Sequence, residues 1–140
     1  MDNLQFIREF DSAHTEDLVN IYHAVGWLNH KYDNVKVIFE TSTHVVIVKY
    51  DNKIVGFARA LSDSHFNAVI YDVVVAPAFQ GKGIASQMVE LLLNDFQHLS
   101  CIHLISTTGN AAFYSKLGFK KLKTGMAIYH KSDLEAEYTE

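Results

Sequence analysis

Apolar positions along the chain repeat at two different intervals, and the switches between them divide it into an alternating series of strands and helices. Residues 4–8, Leu-Gln-Phe-Ile-Arg, read as a first strand. Leu18, Val19, Ile21, Tyr22 and Val25 then fall at helical spacing, with Ser12 or Thr15 as the expected cap and Gly26 as the stop. Trp27 opens a loop, and Asp33 is expected to cap a short helix over 34–41. Two β-branched runs, 45–50 and 53–61, flank Asp51-Asn52, a tight hairpin turn. A further strand covers 68–75. Ile84, Met88, Leu91, Leu92 and Phe96 predict a long helix to about residue 99. After it come a strand over 102–106, a helix over 110–117 closed by Gly118, and a hairpin over 120–129 turning at Gly125. Ser132-Asp133-Leu134-Glu135 suits either a short capped helix or a solvated acidic tail. The fold class is α+β, a mixed α/β chain.

One junction in this series carries chemistry. In residues 72–86, Asp-Val-Val-Val-Ala-Pro-Ala-Phe-Gln-Gly-Lys-Gly-Ile-Ala-Ser, a buried-strand run ends at Pro77 and passes through Gly81 and Gly83 into the long helix. Glycines let bare backbone approach a ligand, and the first amides of the helix have no partners of their own, so the junction is built to receive an anion such as a pyrophosphate. A Walker A loop is excluded because the spacing to a Gly-Lys-Ser/Thr triplet is wrong. Gly81-Lys82-Gly83-Ile84-Ala85-Ser86 approaches a dinucleotide fingerprint, but the next strand ends without the acidic residue that would bind a ribose, and 140 residues leave no room for a doubly wound domain.

Gln80-x-x-Gly83-x-Ala85 resembles the coenzyme A pyrophosphate loop of the GNAT superfamily of acyl-CoA N-acyltransferases. Downstream, Asn110-Ala111-Ala112-Phe113-Tyr114-Ser115-Lys116-Leu117-Gly118-Phe119 resembles the superfamily helix ending in Phe-Tyr-x-Lys-Leu-Gly-Phe. Phe57-Ala58-Arg59-Ala60-Leu61-Ser62-Asp63, Phe66-Asn67-Ala68 and Val25-Gly26-Trp27 are similar to the branch containing plant serotonin N-acetyltransferases and small bacterial acetyltransferases. Together these likenesses cover most of residues 4–129. The resemblance implies a mostly antiparallel mixed sheet with helices on both faces, splayed where acetyl-CoA binds. It implies that Val73, Val74 and Val75 pair with the pantetheine arm, that an amide near Val73 or Val74 donates to the thioester oxygen, and that Gln80, Gly81, Lys82, Gly83, Ile84, Ala85 and Ser86 surround the pyrophosphate. Asn110 and Tyr114 complete the cofactor set, with Tyr114 as the catalytic acid that protonates the leaving sulfur. As structure alone, Tyr114 would be an ordinary helix tyrosine, but Phe113 and Leu117 already supply the apolar face.

The base and the acceptor pocket are less defined. Other members carry Glu near Tyr71 or Val69, and this chain has none at either place. Asp72 would point away from Tyr71 and Val73 in a regular strand, and its symmetry with Arg59 about the 62–68 connection predicts an ion pair instead. Asp63, His65, Glu40 or a water chain remain as proton acceptors. The expected acceptor pocket is Trp27, Asp63, Phe66, Asn67 and Tyr71, with Met126 beside them, which suits a small apolar or arylalkyl amine. An Arg59 not satisfied by Asp72 would favour an amino acid.

Composition narrows the partners. A formal charge of -4, with 12 Lys and Arg against 16 acids and no basic stripe, argues against nucleic acid. No run is long enough to span a membrane, and with a strand pattern from residue 4 no signal or transit segment is expected. One cysteine, Cys101, excludes an internal disulfide, suggests a reducing compartment and is expected to be inert filling at the start of a buried strand. The eight histidines have no metal-ligand spacing, so no metal is expected. The expectation is one acetyltransferase domain over 1–130 with an acidic tail over 131–140, in the cytoplasm, with acetyl-CoA as co-substrate, a small-molecule amine as acceptor and a homodimer allowed. Alternatives are a protein lysine or N-terminal acetyltransferase and a noncatalytic acyl-CoA binding module.

Overall fold

Among the residues described by the computed structural model, 3–140, five strands form one sheet in chain order: β1 (Leu4–Ile7), β2 (His44–Tyr50), β3 (Lys53–Ser62), β4 (Asn67–Val75) and β5 (Cys101–Leu104). The first four pair antiparallel and β5 joins β4 in parallel. Antiparallel neighbours need only short turns: Asp51 and Asn52 link β2 to β3 with φ of 50° and 64°, the mirror-image turn that matches strand twist. The parallel step needs a crossover, and α3 (Ile84–Asp95) provides it.

Helices cover the two faces. α1 (Thr15–Ala24) and α2 (Tyr32–Thr41) bury Leu18, Ile21, Tyr22, Val35 and Phe39 in a cluster with Val45, Ile47, Phe57 and Val74. The rings of Tyr22 and Phe57 lie 4.7 Å apart and those of Phe39 and Phe57 5.6 Å apart, aromatic contacts that add about 0.5–1.5 kcal/mol each beyond their buried area. α3 packs on β2, β3 and β4 through Ile84, Met88, Val89 and Leu92. Gly56 is required here because a Cβ would come within 3.1 Å of the Val74 carbonyl and 3.6 Å of both Ile84 and Met88. Sheet alternation therefore sends odd residues of β2 to one helical layer and even residues to the other.

Several boundaries differ from those the periodicity predicts. Asp11, rather than Ser12 or Thr15, caps the start of α1 through a 3-10 turn over Ser12–His14, accepting from the Ala13 amide while His14 Nδ1 accepts from the Asp11 amide. α2 begins at Tyr32, so Asp33 sits inside its first turn and acts on the helix dipole instead of capping it. α3 ends at Asp95 and β5 at Leu104, both earlier than expected.

The chain divides into two compact units, one running to Ile105 and one from Ser106 to Glu140. The second contains α4 (Ala111–Lys116), ended by Gly118 at φ 100°, and α5 (Ser132–Tyr138), which takes the place of a solvated tail. The hairpin expected over 120–129 is not formed. Residues 119–131 hold no helix or strand, Gly125 does not take a positive φ, and Leu122, Met126 and Ile128 are exposed. Alternating apolar residues make a strand only when a face is covered, and an isolated two-stranded hairpin has too little buried area to offset its ordering entropy.

Candidate active site

The most unusual backbone in the sheet lies in β4. Pairing with β3 runs from Ser62↔Ala68 to Arg59↔Tyr71, then resumes at Phe57↔Val74, so Ala58 faces two residues, Asp72 and Val73. This is a β-bulge, and Asp72 takes φ 49° within it, a conformation that side chains other than those of Asn and Asp rarely adopt. The extra residue changes which face the strand presents. Tyr71 and Val74 both lie on the α1 and α2 side, opposite Arg59 and Phe57 respectively.

The bulge brings a buried polar group together. Asp72 Oδ2 accepts from Arg59 Nε at 2.7 Å and from the Tyr22 hydroxyl at 2.9 Å. Arg59 also reaches Ser42 Oγ at 3.4 Å and lies 4.9 Å over the Tyr71 ring. Burial, reinforced by the Asp72 carboxylate, pushes the Tyr22 phenol far above its ordinary range, so it is a permanent donor. Tyr22 in turn stacks on His30 at 4.3 Å and Trp27 at 5.6 Å. The sequence pattern placed Tyr22 on the apolar face of α1 and gave no role to its hydroxyl. A usable signal was present, because a buried tyrosine needs an acceptor and Asp72 is the one acid in an apolar strand.

Just before the bulge β4 loses its neighbour on one side. β5 pairs with β4 only over Asn67↔Cys101 to Ile70↔Leu104, so the β4 edge from Tyr71 to Val75 faces no strand on that side. Ahead of this edge, the Gln80 side chain donates to the Val75 carbonyl at 3.0 Å and ends the ladder. Gly81 and Gly83 take φ of 76° and 84°, and Gly83 is the N-cap of α3 with no side chain bonded to the first turn. Loop glycines and an uncapped 12-residue helix thus give a start that carries partial positive charge and donor amides. A Cβ at Gly81 would meet nothing within 4 Å, and one at Gly83 only Gln87 Nε2 at 4.0 Å, so the glycines are required by φ and not by crowding inside the loop.

The acceptor-pocket residues expected from the sequence are not gathered in one place. Trp27 and Tyr71 sit at the two ends of the Tyr22, Asp72, Arg59 chain of contacts. Asp63, Phe66 and Asn67 lie instead at the β3 to β4 turn, the opposite end of β4 from the glycine loop. Asp63 builds that turn: its Oδ1 accepts from the amides of Phe66, His65 and Asn67 at 2.7, 2.9 and 3.0 Å, which holds its carboxyl down to about 2. His65 bonds within the same turn, and Phe66 is exposed. Glu40 lines a separate open depression of about 640 Å³ between residues 8–12, the end of α2 and the start of β2. Cys101 is exposed, with its sulfur 3.9 Å from His103 Nδ1, and is not core filling: it opens β5 on the face of that strand where Cys101 and His103 are exposed, while Ile102 and Leu104 alternate to the half-buried face. Among the described residues no group of three or more His, Cys, Asp and Glu could hold a metal, and no helix is long and apolar enough to cross a membrane.

In the second unit, α4 carries Tyr114, half-buried against Phe113 and Phe119 with ring centroids at 4.9 and 5.7 Å. Burial raises its pKa, which keeps the phenol protonated at neutral pH. Asn110, just before α4, donates to Thr107 Oγ1 at 2.7 Å. Met126 is exposed.

Comparison with known proteins gives a family. Residues 7–119 match the model of the acetyltransferase (GNAT) family. An N-acetyltransferase named ycf52 from Pyropia yezoensis is 37% identical over 116 residues, 79% of this chain and 67% of that protein. The GCN5-related N-acetyltransferase 1, chloroplastic, of Arabidopsis thaliana is 33% identical over 80% of this chain and 59% of its own length, so the chain spans about three fifths to two thirds of these relatives. A protein named histone acetyltransferase TAP1 from Glycine max is 37% identical over 70 residues, 49% of this chain and 30% of that protein. A GNAT family acetyltransferase from Streptococcus pneumoniae superimposes with a TM-score of 0.79 at 24% identity, covering 92% of this chain and 98% of that one, a likeness of fold.

Proposed function

The chain belongs to the acetyltransferase (GNAT) family and is an acetyl-CoA-dependent N-acetyltransferase, and we propose that its acceptor is the primary amine of a small molecule, which attacks directly within a ternary complex. The observation that carries the reading is the parting of β4 from β5 after Ile70, immediately ahead of a glycine-headed helix with an uncapped first turn. Both features fit a carrier with a pyrophosphate and an amide-bearing arm. Bound acetyl-CoA supplies the activated acyl carbon.

The backbone of Val73, Val74 and Val75 offers amides and carbonyls to the arm, in the manner of a strand adding to a sheet edge. An amide at Val73 or Val74 donates to the thioester oxygen, where negative charge gathers as the amine attacks. Gln80, Gly81, Lys82, Gly83, Ile84, Ala85 and Ser86 hold the pyrophosphate, mainly by backbone amides, with Lys82 adding charge. Asn110 and Tyr114 take their roles from the Phe-Tyr-x-Lys-Leu-Gly-Phe motif: Tyr114 gives its proton to the departing sulfur, a transfer from a weaker acid that product release pulls forward, and the phenolate is reprotonated through solvent, which also takes up the proton lost by the amine. Trp27 and Tyr71 offer aromatic surface beside the bulge for the acceptor.

A protein amine is the second reading. It is favoured by the relative named as a histone acetyltransferase, and by Asp63, Phe66 and Asn67 lying away from the bulge, which leaves less of a closed aromatic pocket. Thiol release from acetyl-CoA should be measured with serotonin, tryptamine, polyamines, amino acids and a lysine peptide. Turnover with a small amine supports the first reading. Turnover with the peptide alone supports the second, and none at all with intact acetyl-CoA binding supports a binding module.

We also place the chain in a reducing compartment, the cytoplasm by default, on the strength of its lone exposed thiol. Fractionation of source cells tests this. Recovery from plastids would overturn the cytoplasmic placement and leave the reducing environment standing.

A further inference from the structure

The bulge of β4 is held by side chains from elements remote in sequence, and the way they hold it has a consequence for the reaction. Asp72 belongs to the bulge itself, Arg59 to β3 and Tyr22 to α1, 50 residues before Asp72, and all three meet at one carboxylate oxygen. Arg59 and Asp72 are nearly buried, at 13% and 12% exposure, and Tyr22 is completely so. Arg59 is itself fixed by the Tyr71 ring on one side and Ser42 on the other. Among the described residues no buried side-chain polar atom lacks a partner.

Such a network is a poor device for stability alone. A buried ion pair rarely exceeds an apolar replacement of the same volume, because desolvation offsets most of the attraction. It does select one arrangement over its neighbours. Here the neighbouring arrangement is a slip of one residue, which would turn Val74 out of its contact with the Phe57 cluster and reverse the faces of Val73 and Val75. Asp72 is suited to the post because aspartate tolerates a left-handed backbone and presents an acceptor to both donors.

We propose that Tyr22 and Arg59, acting through Asp72, are positioning residues for acetyl transfer: they lock the β4 bulge so that the backbone N–H groups at Val73 and Val74 meet the thioester oxygen in one orientation. This rests on the acetyltransferase reading above. Neither side chain touches the reacting atoms. Their effect falls on the transition state, since an amide turned slightly from the oxygen still permits binding and stabilises developing charge less well.

The test compares Tyr22→Phe, Asp72→Asn and Asp72→Gly with the wild type. Tyr22→Phe keeps the ring against Trp27, His30 and Phe57 and removes one donor. It should leave acetyl-CoA affinity within about twofold and lower kcat by about tenfold or more, with KM little changed. Its Val73 and Val74 amide resonances should shift while those of α3 stay in place. Asp72→Gly accepts the backbone angle without supplying a carboxylate and should be at least as slow. Three results overturn the proposal: kcat within twofold of wild type in Tyr22→Phe, full activity in Asp72→Gly, or unmoved Val73 and Val74 resonances. A folded wild type that binds acetyl-CoA yet acetylates no amine would overturn the reading of function instead, and the amide shifts alone would then decide whether the clamp exists. Asp72→Asn, with one donor–acceptor contact weakened and the backbone preference kept, should fall between wild type and Asp72→Gly.

Discussion

Arg59 grips Asp72 although the two are not strand partners. The residue across from Arg59 is Tyr71, and the carboxylate arrives at 2.7 Å only because Asp72 bulges out at φ 49°. In a regular strand, residue 72 would present its side chain to the opposite face from residue 71. The ion pair and the bulge therefore support one another: the pair offsets the cost of an unusual backbone angle, and the angle makes the pair reachable.

That dependence sets a stability prediction. Arg59→Ala or Asp72→Ala should each lower unfolding free energy by about 2–3 kcal/mol, the size of a charge-assisted hydrogen bond with a partly desolvated partner left behind. The double variant should lose much less than the sum, because the second truncation removes the orphaned charge left by the first. Denaturant unfolding of the four proteins gives the coupling. Strict additivity would mean that the two groups do not stabilise each other.

A second prediction concerns acid. Three amides hold the carboxyl of Asp63 at about 2, below its ordinary 3.8. A carboxyl whose folded value is depressed stabilises the native state fully above the unfolded value, and that contribution is lost as pH falls from about 4 toward 2. Carbon-detected NMR titration should place its midpoint near 2, and Asp63→Asn should remove the corresponding slope of stability against pH in this window. A midpoint close to 4 would show that the turn does not hold the carboxylate in solution. The same residue was expected in an acceptor pocket, and its pKa shift has a purely local cause.

What could be read from the sequence follows from the range of the physics involved. The Asp51-Asn52 turn, the glycines at 81 and 83 and the period of α3 depend on a few adjacent residues, and each is found where expected. The ion pair of Arg59 with Asp72 was expected from their near-symmetry about the turn, but a regular register puts Tyr71 opposite Arg59, and the bulge that brings Asp72 to it was not legible, because a one-residue offset depends on two strands together. Tyr22 was legible as core and not as a hydrogen-bond donor. Asp63, Phe66 and Asn67 were grouped with Trp27 by chemistry, and only the length of β4 separates them. The stretch after Phe119 alternates like a strand, but periodicity does not reveal whether anything covers it.

The glycine loop gives a prediction with an internal control. At φ 84°, Gly83→Ala strains the backbone by about 1–2 kcal/mol without a steric clash, since the nearest atom to the added Cβ is Gln87 Nε2 at 4.0 Å. Unfolding should report that modest cost. Acetyl-CoA affinity should fall far more in Gly83→Val than in Lys82→Ala, because the Cβ branches would stand where backbone meets pyrophosphate and the lysine adds only an exposed charge. Calorimetry on both variants checks the order. If Lys82→Ala were the weaker binder, the side chain and not the backbone would hold the anion.

The last prediction separates binding from chemistry at Tyr114. Tyr114→Phe retains the ring that packs on Phe113 and Phe119 and deletes only the hydroxyl. A proton delivered as the carbon–sulfur bond breaks contributes little to the bound ground state, so acetyl-CoA affinity should stay within a few fold while kcat falls by about 100 to 10,000 fold. Direction also follows for pH. Burial raises the phenol pKa, so the acid form persists through neutral pH, and the wild-type rate should not decline on its account until the solution is well alkaline. Steady-state rates and cofactor affinity need to be measured on one preparation, with an amine that the wild type accepts. Near-normal turnover in Tyr114→Phe would remove the acid assignment and leave the thiolate to take its proton from water.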